Sequence, residues 1–509
     1  MIRKIRSAAL WGLDGFPVTV ECFAGPGLPN VEIIGLPDTA VKESLDRIHA
    51  AAMSLHLPMP RGHITVNLAP ADRKKQGSGF DLPILLAELS NTQLAGLDLS
   101  DACFIGELGL DGTLRGGNGA LCLAIAAREN GAKRLFVPKE NAAECSVVDG
   151  LEVYGAENVM DLLAHLTGET PLERTVFDRD KVRQDAKPAV DFRDIRGQEM
   201  AKRAAEIAAA GGHNLLLAGP PGSGKSMLAK AIPGILPRMS FEEMLETTKI
   251  HSIAGFLREG EGLIRLRPFR SPHHTMSFVG LAGGGATPQP GEISLAHNGV
   301  LFLDELPEFE KRSLEILRQP LEDRQVTITR AAWKMTFPSD FMLVCAMNPC
   351  PCGYYGSDQK RCTCSPAAIE RYLGKISGPL LDRIDIRIEV PALSFEELNG
   401  RQAGEDSAAV RERVDRARKI AAERYREIGV RCNGALTGAQ TKKWCRYDEK
   451  AEAVLQSSFV SRHMSARGLD RILRLARTIA DLEEAEIISE SHVLEAVQFR
   501  FSSEKYFSR

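Results

Sequence analysis

Eight residues constrain this chain more than any others: Gly219-Pro220-Pro221-Gly222-Ser223-Gly224-Lys225-Ser226. They fit the pattern G-x-x-x-x-G-K-[ST], and the setting agrees with the letters, because the apolar run Asn214 to Ala218 comes before and a helical pattern, Lys225 to Ile235, comes after. Glycines let backbone N–H groups approach phosphate oxygens, and the helix N-terminus adds partial positive charge. In such a loop Lys225 reaches the β and γ phosphates and Ser226 ligates Mg²⁺. The expected ligands are therefore ATP and Mg²⁺.

A second run, Gly299-Val300-Leu301-Phe302-Leu303-Asp304-Glu305, reads as a buried strand ending in two carboxylates. Asp304 suits Mg²⁺ held through water, and Glu305 suits polarisation of the attacking water. An acidic pair after an apolar run is commonly just a solvated turn; its pairing with the phosphate loop is what gives it meaning. Further apolar strands at Asn214 to Ala218 and Phe341 to Met347, interleaved with helices, predict an α/β fold around a parallel sheet.

At 509 residues the chain exceeds what one core can organise, so two or three domains are expected. Residues 1–168 mix strand-like runs such as Val18 to Phe23 with a helix over Asp38 to Leu55, an α+β pattern. Residues 169–191 are charged, carry Pro171 and Pro188 and lack periodicity, which predicts a linker. After Val390 the pattern turns helical, with Ser407 to Glu427, Arg467 to Leu482 and Ser491 to Phe499. The hydrophobic share of 44% and charged share of 26% are those of a folded, water-soluble protein, and the absence of a long apolar run or signal-type start makes the cytoplasm the expected address, with no membrane partner. A net charge of −3 neither advertises nor excludes nucleic acid.

Of the eleven cysteines, Cys350, Cys352, Cys362 and Cys364 cluster on a turn-rich stretch within 348–365. Four thiolates so placed suit a tetrahedral Zn²⁺ clip; the alternative is four reduced cysteines in a loop.

The chain resembles the AAA+ superfamily, specifically the magnesium-chelatase-like ComM/YifB group of bacterial competence ATPases. The resemblance runs over nearly the whole length through Pro17 to Phe23, Gly35-Leu36-Pro37-Asp38, the phosphate loop, Ser271-Pro272-His273-His274, Gly291 to Asn298, Asn348 to Gly353 and Ser377 to Asp385. It implies a Lon-protease-like but non-proteolytic domain at 1–168, a linker at 169–191, an AAA+ P-loop core at 192–391 carrying the zinc clip, and a helical lid at 392–509. It further implies that Asn348 is a sensor that positions water, Arg383 an arginine finger for a neighbouring subunit and Arg467 a second sensor on the lid. The function implied is that of a hexameric ring that translocates on DNA, single-stranded or branched, and drives branch migration in natural transformation or recombination.

Two other readings are weighed beside it. A protein remodeller or chelatase accessory would use the same ring without DNA. A Ser–Lys protease is disfavoured, because Gly79 stands where the nucleophile belongs, with Ser78 one position early, and Gly117 to Cys122 supply no lysine base. The resemblance further implies that the long segment Ile250 to Pro290, including His273 and His274, and a hairpin over Gln325 to Thr336 project into a pore, where Arg324, Arg330 and Lys334 would meet phosphates; the alternative is plain solvated surface.

Overall fold

Alternating burial along Ile2–Trp11 (β1) and Asp14–Gly25 (β2) puts one face of each strand in a core, as period-two side-chain placement requires. The computed structural model describes residues 2–178, 188–258, 260–285, 288–330, 333–357, 360–394 and 404–507, with Arg330 and Trp333 described by their backbone alone. Its contacts divide the chain into two units, Met1–Asp185 with Phe241–Arg265, and Ala186–Ser240 with Leu266–Arg509.

The first unit is built on an eight-stranded mixed sheet. Its remaining strands are Asn30–Ile34 (β3), His63–Ala69 (β4), Ala102–Phe104 (β5), Arg134–Pro138 (β8), Glu152–Ala156 (β9) and Arg174–Thr175 (β10), in the order β10-β9-β8-β5-β1-β2-β4-β3. Glu107–Leu108 (β6) and Leu114–Arg115 (β7) form a separate short hairpin. The expected first helix runs from Thr39 to Ser54, and the Asp38 carboxylate caps it by accepting from Val41 N at 2.9 Å. Helix Asp81–Leu89 is buried along its whole length. It carries Asp81 into an ion pair with Arg47 at 2.6 Å and Glu88 into the core, where both carboxyl oxygens are without a partner.

Two boundaries differ from expectation. The stretch expected as a linker from residue 169 contributes β10, which pairs antiparallel with β9, so backbone pairing extends the first unit past its last helix; residues 179–187 lie outside the described residues. The expected continuous core over 192–391 is interrupted, because Phe241–Arg265 groups with the first unit. Helix Phe241–Ile253 buries Thr247, Thr248, Ile250 and Ser252; Ser252 O accepts from Gly119 N at 3.1 Å and its hydroxyl donates to the buried Glu144 carboxylate at 2.6 Å.

The second unit has a five-stranded, wholly parallel sheet. Leu215–Ala218 (β11), Phe269–Arg270 (β12), Val300–Leu303 (β15), Met342–Met347 (β18) and Ile386–Glu389 (β19) lie in the order β12-β15-β18-β11-β19. Strands buried on both faces explain why β11, β15 and β18 read as unbroken apolar runs. Two small hairpins, Gly283–Gly284 (β13) with Gln289–Pro290 (β14) and Gln325–Arg330 (β16) with Trp333–Pro338 (β17), stand outside the sheet. Helices Ser407–Arg424, Ala466–Leu482 and Glu490–Phe501 share one hydrophobic cluster with β11, β15, β18 and β19, so the helical end packs as part of this unit. Among the described residues no helix is long and apolar enough to cross a membrane.

Candidate nucleotide site

Strand β11 runs between β18 and β19, and its C-terminal end delivers the chain into Gly219. In open parallel sheets that end is where ligands bind. No side chain fits at Gly219: a Cβ there would lie 2.1 Å from the Val390 carbonyl oxygen at the end of β19. Gly224, at φ +90°, turns the loop into helix Lys225–Ile235.

Lys225 is buried and folds back on its own loop, donating to the carbonyls of Gly219 at 2.8 Å and Pro220 at 2.7 Å. Burial pushes its pKa down to about 8, and the Asp304 carboxylate opposes that shift. Ser226 Oγ donates to Asp304 Oδ2 at 2.7 Å. A hydroxyl and a carboxylate facing each other at the end of two adjacent motifs form a hard-oxygen set that fits Mg²⁺ completed by phosphate oxygens and water. Asn348, leaving β18, brings Oδ1 to 3.4 Å from Lys225 Nζ.

Glu305 is exposed and sits in the left-handed region at φ 52°, an uncommon place for a residue with a side chain. Its Oε2 lies 3.3 Å from His274 Nδ1. His274 therefore touches the residue expected to polarise water, a contact that the sequence reading missed. Gln198 was missed as well: its Nε2 donates to Ser223 O at 3.1 Å and to Pro391 O at 2.7 Å, tying the phosphate loop to the chain after β19. Neither residue belongs to a contiguous pattern; only a glutamine beside Gly197 just ahead of helix Glu199–Gly211 hinted at the second.

The two expected arginines lie elsewhere. Arg383 donates to Pro379 O at 2.8 Å and pairs with Glu322, while its backbone carbonyl accepts from Asn214 Nδ2 at 2.8 Å. Asn214 is the residue before β11, so Arg383 sits at the opposite end of that strand from the phosphate loop, about 13 Å away for four residues of parallel strand. Arg467 is exposed in the first turn of helix Ala466–Leu482, one turn from Arg471, which pairs with Asp385 at 2.7 Å at that same far end. Among the described residues no hydrogen bond or ion pair ties Arg467 to the phosphate loop.

The four cysteines gather beside this site. Sulfur separations are 3.4 Å for Cys350–Cys352, 3.7 Å for Cys350–Cys362 and 3.6 Å for Cys352–Cys362, and Cys364 completes a group whose sulfurs all lie within 4.8 Å. A ZnS₄ tetrahedron with Zn–S of about 2.3 Å has edges of about 3.8 Å, so the set fits Zn²⁺. Backbone N–H groups of Thr363 and Tyr354 point at Cys352 and favour its thiolate, lowering its pKa to about 5. His273 and His274 are not members of that group; their ring centroids lie 4.2 Å apart with the planes tilted by 32°. Arg324 pairs with Asp340 at 2.9 Å, and the side chain of Arg330 lies outside the described residues.

In the first unit Ser78 Oγ donates to Glu107 and the buried Lys75 ammonium to Pro70 O. Each group is thus committed to a partner other than the one a Ser–Lys dyad requires.

Three family models match the chain: "Magnesium chelatase, subunit ChlI" over residues 191–398, "Subunit ChlI of Mg-chelatase" over 20–141 and "Magnesium chelatase, subunit ChlI C-terminal" over 404–500. The chain is 42% identical to YifB of Escherichia coli K12 over 498 residues, 97% of this chain and 96% of that one. It is 43% identical to the competence protein ComM of Haemophilus influenzae Rd over 500 residues, 97% of each chain. It is also 30% identical to the 67 kDa magnesium-chelatase subunit of Chlorobaculum parvum over 166 residues, 31% of this chain and 23% of that one.

Proposed function

The chain belongs to the magnesium-chelatase-like family of AAA+-type ATPases that includes YifB and ComM, and on that premise we propose that it is a hexameric, ATP-driven DNA motor promoting branch migration in transformation or homologous recombination. The observation that carries the motor reading is the split of the site along one sheet. Lys225, Ser226, Asp304, Glu305 and Asn348 gather at one end of β11, and Arg383 stands at the other. That separation supports a role for Arg383 toward the nucleotide of a neighbouring copy, the arrangement a ring would require. Lys225 and the phosphate-loop N–H groups bind the triphosphate, and Glu305 orients and accepts a proton from the attacking water. Mg²⁺, held through Ser226 and Asp304, neutralises phosphate charge when bound. Arg383 from the next copy, as arginine finger, and Arg467, as the second sensor on the lid, neutralise charge on the transferring phosphoryl group. Zn²⁺ on Cys350, Cys352, Cys362 and Cys364 holds the sensor-side loop together. The first unit serves as a Lon-like, non-proteolytic domain and 392–509 as the lid.

DNA as the track rests on the likeness to a competence protein, together with the basic hairpin β16–β17 that carries Arg330 and Lys334. The shorter match to a magnesium-chelatase subunit favours a second reading, an accessory ATPase that remodels a protein partner. Strand displacement from three-way and four-way junctions with ATP, beside a Lys225→Ala control, separates the two. The DNA reading expects displacement that the control lacks; healthy hydrolysis without displacement favours the remodeller.

A further inference from the structure

The segment that follows β18 joins two sites. Asn348 places Oδ1 3.4 Å from Lys225 Nζ, and two residues later the buried Cys350 enters the thiol cluster. Gly353 then closes a turn, its N–H donating to Cys350 O at 3.0 Å. That turn lies against the phosphate loop. A Cβ on Gly353, which has φ +86°, would stand 2.6 Å from Cδ and 2.7 Å from Cγ of Pro221. Neither atom can swing away, because the pyrrolidine ring is fused to the backbone. Gly353 is therefore a glycine for two reasons, its backbone conformation and the ring that covers it.

We infer that the four-thiol loop is the outer wall of the phosphate site, so that metal on the thiols and a nucleoside triphosphate on Gly219–Ser226 tighten each other's binding. A metal that joins Cys350 and Cys352 to Cys362 and Cys364 restrains the turn from Cys350 to Gly353. The turn then holds Pro221 from one side and carries Asn348 toward Lys225 from the other. A phosphate loop braced in this way gives up less conformational entropy when it closes on an anion. Linkage requires the converse: a triphosphate that fixes Pro221 and Asn348 raises the affinity of the thiols for the metal by the same factor. The inference rests on the zinc reading and on the phosphate-loop reading, and it adds a coupling between them.

The test uses the full chain purified without chelator. Zinc affinity is measured at equilibrium against a competing chromogenic chelator, with and without a saturating, non-hydrolysable ATP analogue and Mg²⁺, and is expected to tighten by about fivefold or more. Gly353→Ala should weaken the analogue about tenfold by calorimetry at unchanged zinc content, as a coupling of this size implies. Gly356→Ala is the control: that residue also has positive φ, at +73°, but the nearest atoms to its Cβ belong to Lys505 and Tyr506, from 3.6 Å outward. It should bind the analogue as the parent does. Combined with Pro221→Ala, which removes the obstructing ring atoms, Gly353→Ala should cost less than its penalty in the parent, so that the two penalties do not multiply. Equal zinc affinities with and without the analogue, or penalties that simply multiply in the double variant, overturn the inference while leaving a zinc-bound protein. Less than about half an equivalent of zinc per chain overturns the zinc reading and the inference together.

Discussion

Among the described residues each unit buries one lysine, and in both the ammonium folds back on the carbonyl of a proline five residues earlier, Lys75 on Pro70 and Lys225 on Pro220. Burial lowers both pKa values, yet the surroundings differ. Lys75 N donates to Leu36 O at 3.2 Å and its carbonyl accepts from Asp38 N at 3.1 Å, so this residue sews one loop to another. Lys225 heads a helix beside Asp304, Ser226 and Asn348, an arrangement that fits an anion and its cation. A buried lysine with a perturbed pKa is thus not by itself a site; what decides is whether the groups around it leave work for a ligand.

The contrast is open to breakage. Glu305→Gln should lower turnover about a thousandfold, about 4 kcal/mol of barrier, while calorimetry finds ATP affinity retained. Hydrolysis at the parental rate would remove Glu305 from the mechanism. A buried acid in the first unit should behave in the opposite way. Desolvation raises the Glu88 pKa to about 7, so the folded chain keeps its proton to higher pH than the unfolded chain, which releases it near the ordinary value of 4.5. Stability therefore declines as pH rises across that window and is lowest above it. Glu88→Gln should add about 3 kcal/mol at pH 8 and almost nothing below pH 4.5, with turnover unchanged, as denaturant unfolding at the two pH values would report.

Lys75→Met sharpens the comparison of the lysines. It leaves the Pro70 carbonyl without its donor and should cost about 2 kcal/mol of stability with no change in ATP turnover. A loss of hydrolysis in this variant at temperatures where it remains folded would make the two lysines alike. The smallest effect concerns pH. With Lys225 at about 8 in the free protein, ATP affinity should be level below pH 7 and fall about tenfold per unit above 8, because binding then demands proton uptake. Calorimetry in buffers of different ionisation enthalpy reads that proton directly.

Contiguous stretches let the sequence alone determine a good deal. The phosphate loop, the Asp304–Glu305 pair, the four cysteines and the helix capped by Asp38 each lie within a short span, where local conformation brings the groups together whatever the rest of the chain does. Alternating and continuous apolar runs likewise marked β2, β11, β15 and β18. Only the tertiary structure could decide partnerships between distant residues. Among these are the grouping of Phe241–Arg265 with the first unit, the grip of Gln198 on the phosphate loop, the contact of His274 with Glu305 and the fit of Gly353 against Pro221. Sequence spacing carries no record of which loops meet at the end of a sheet; that is set by strand order and close packing, which place residues far apart in the chain within one hydrogen bond of each other.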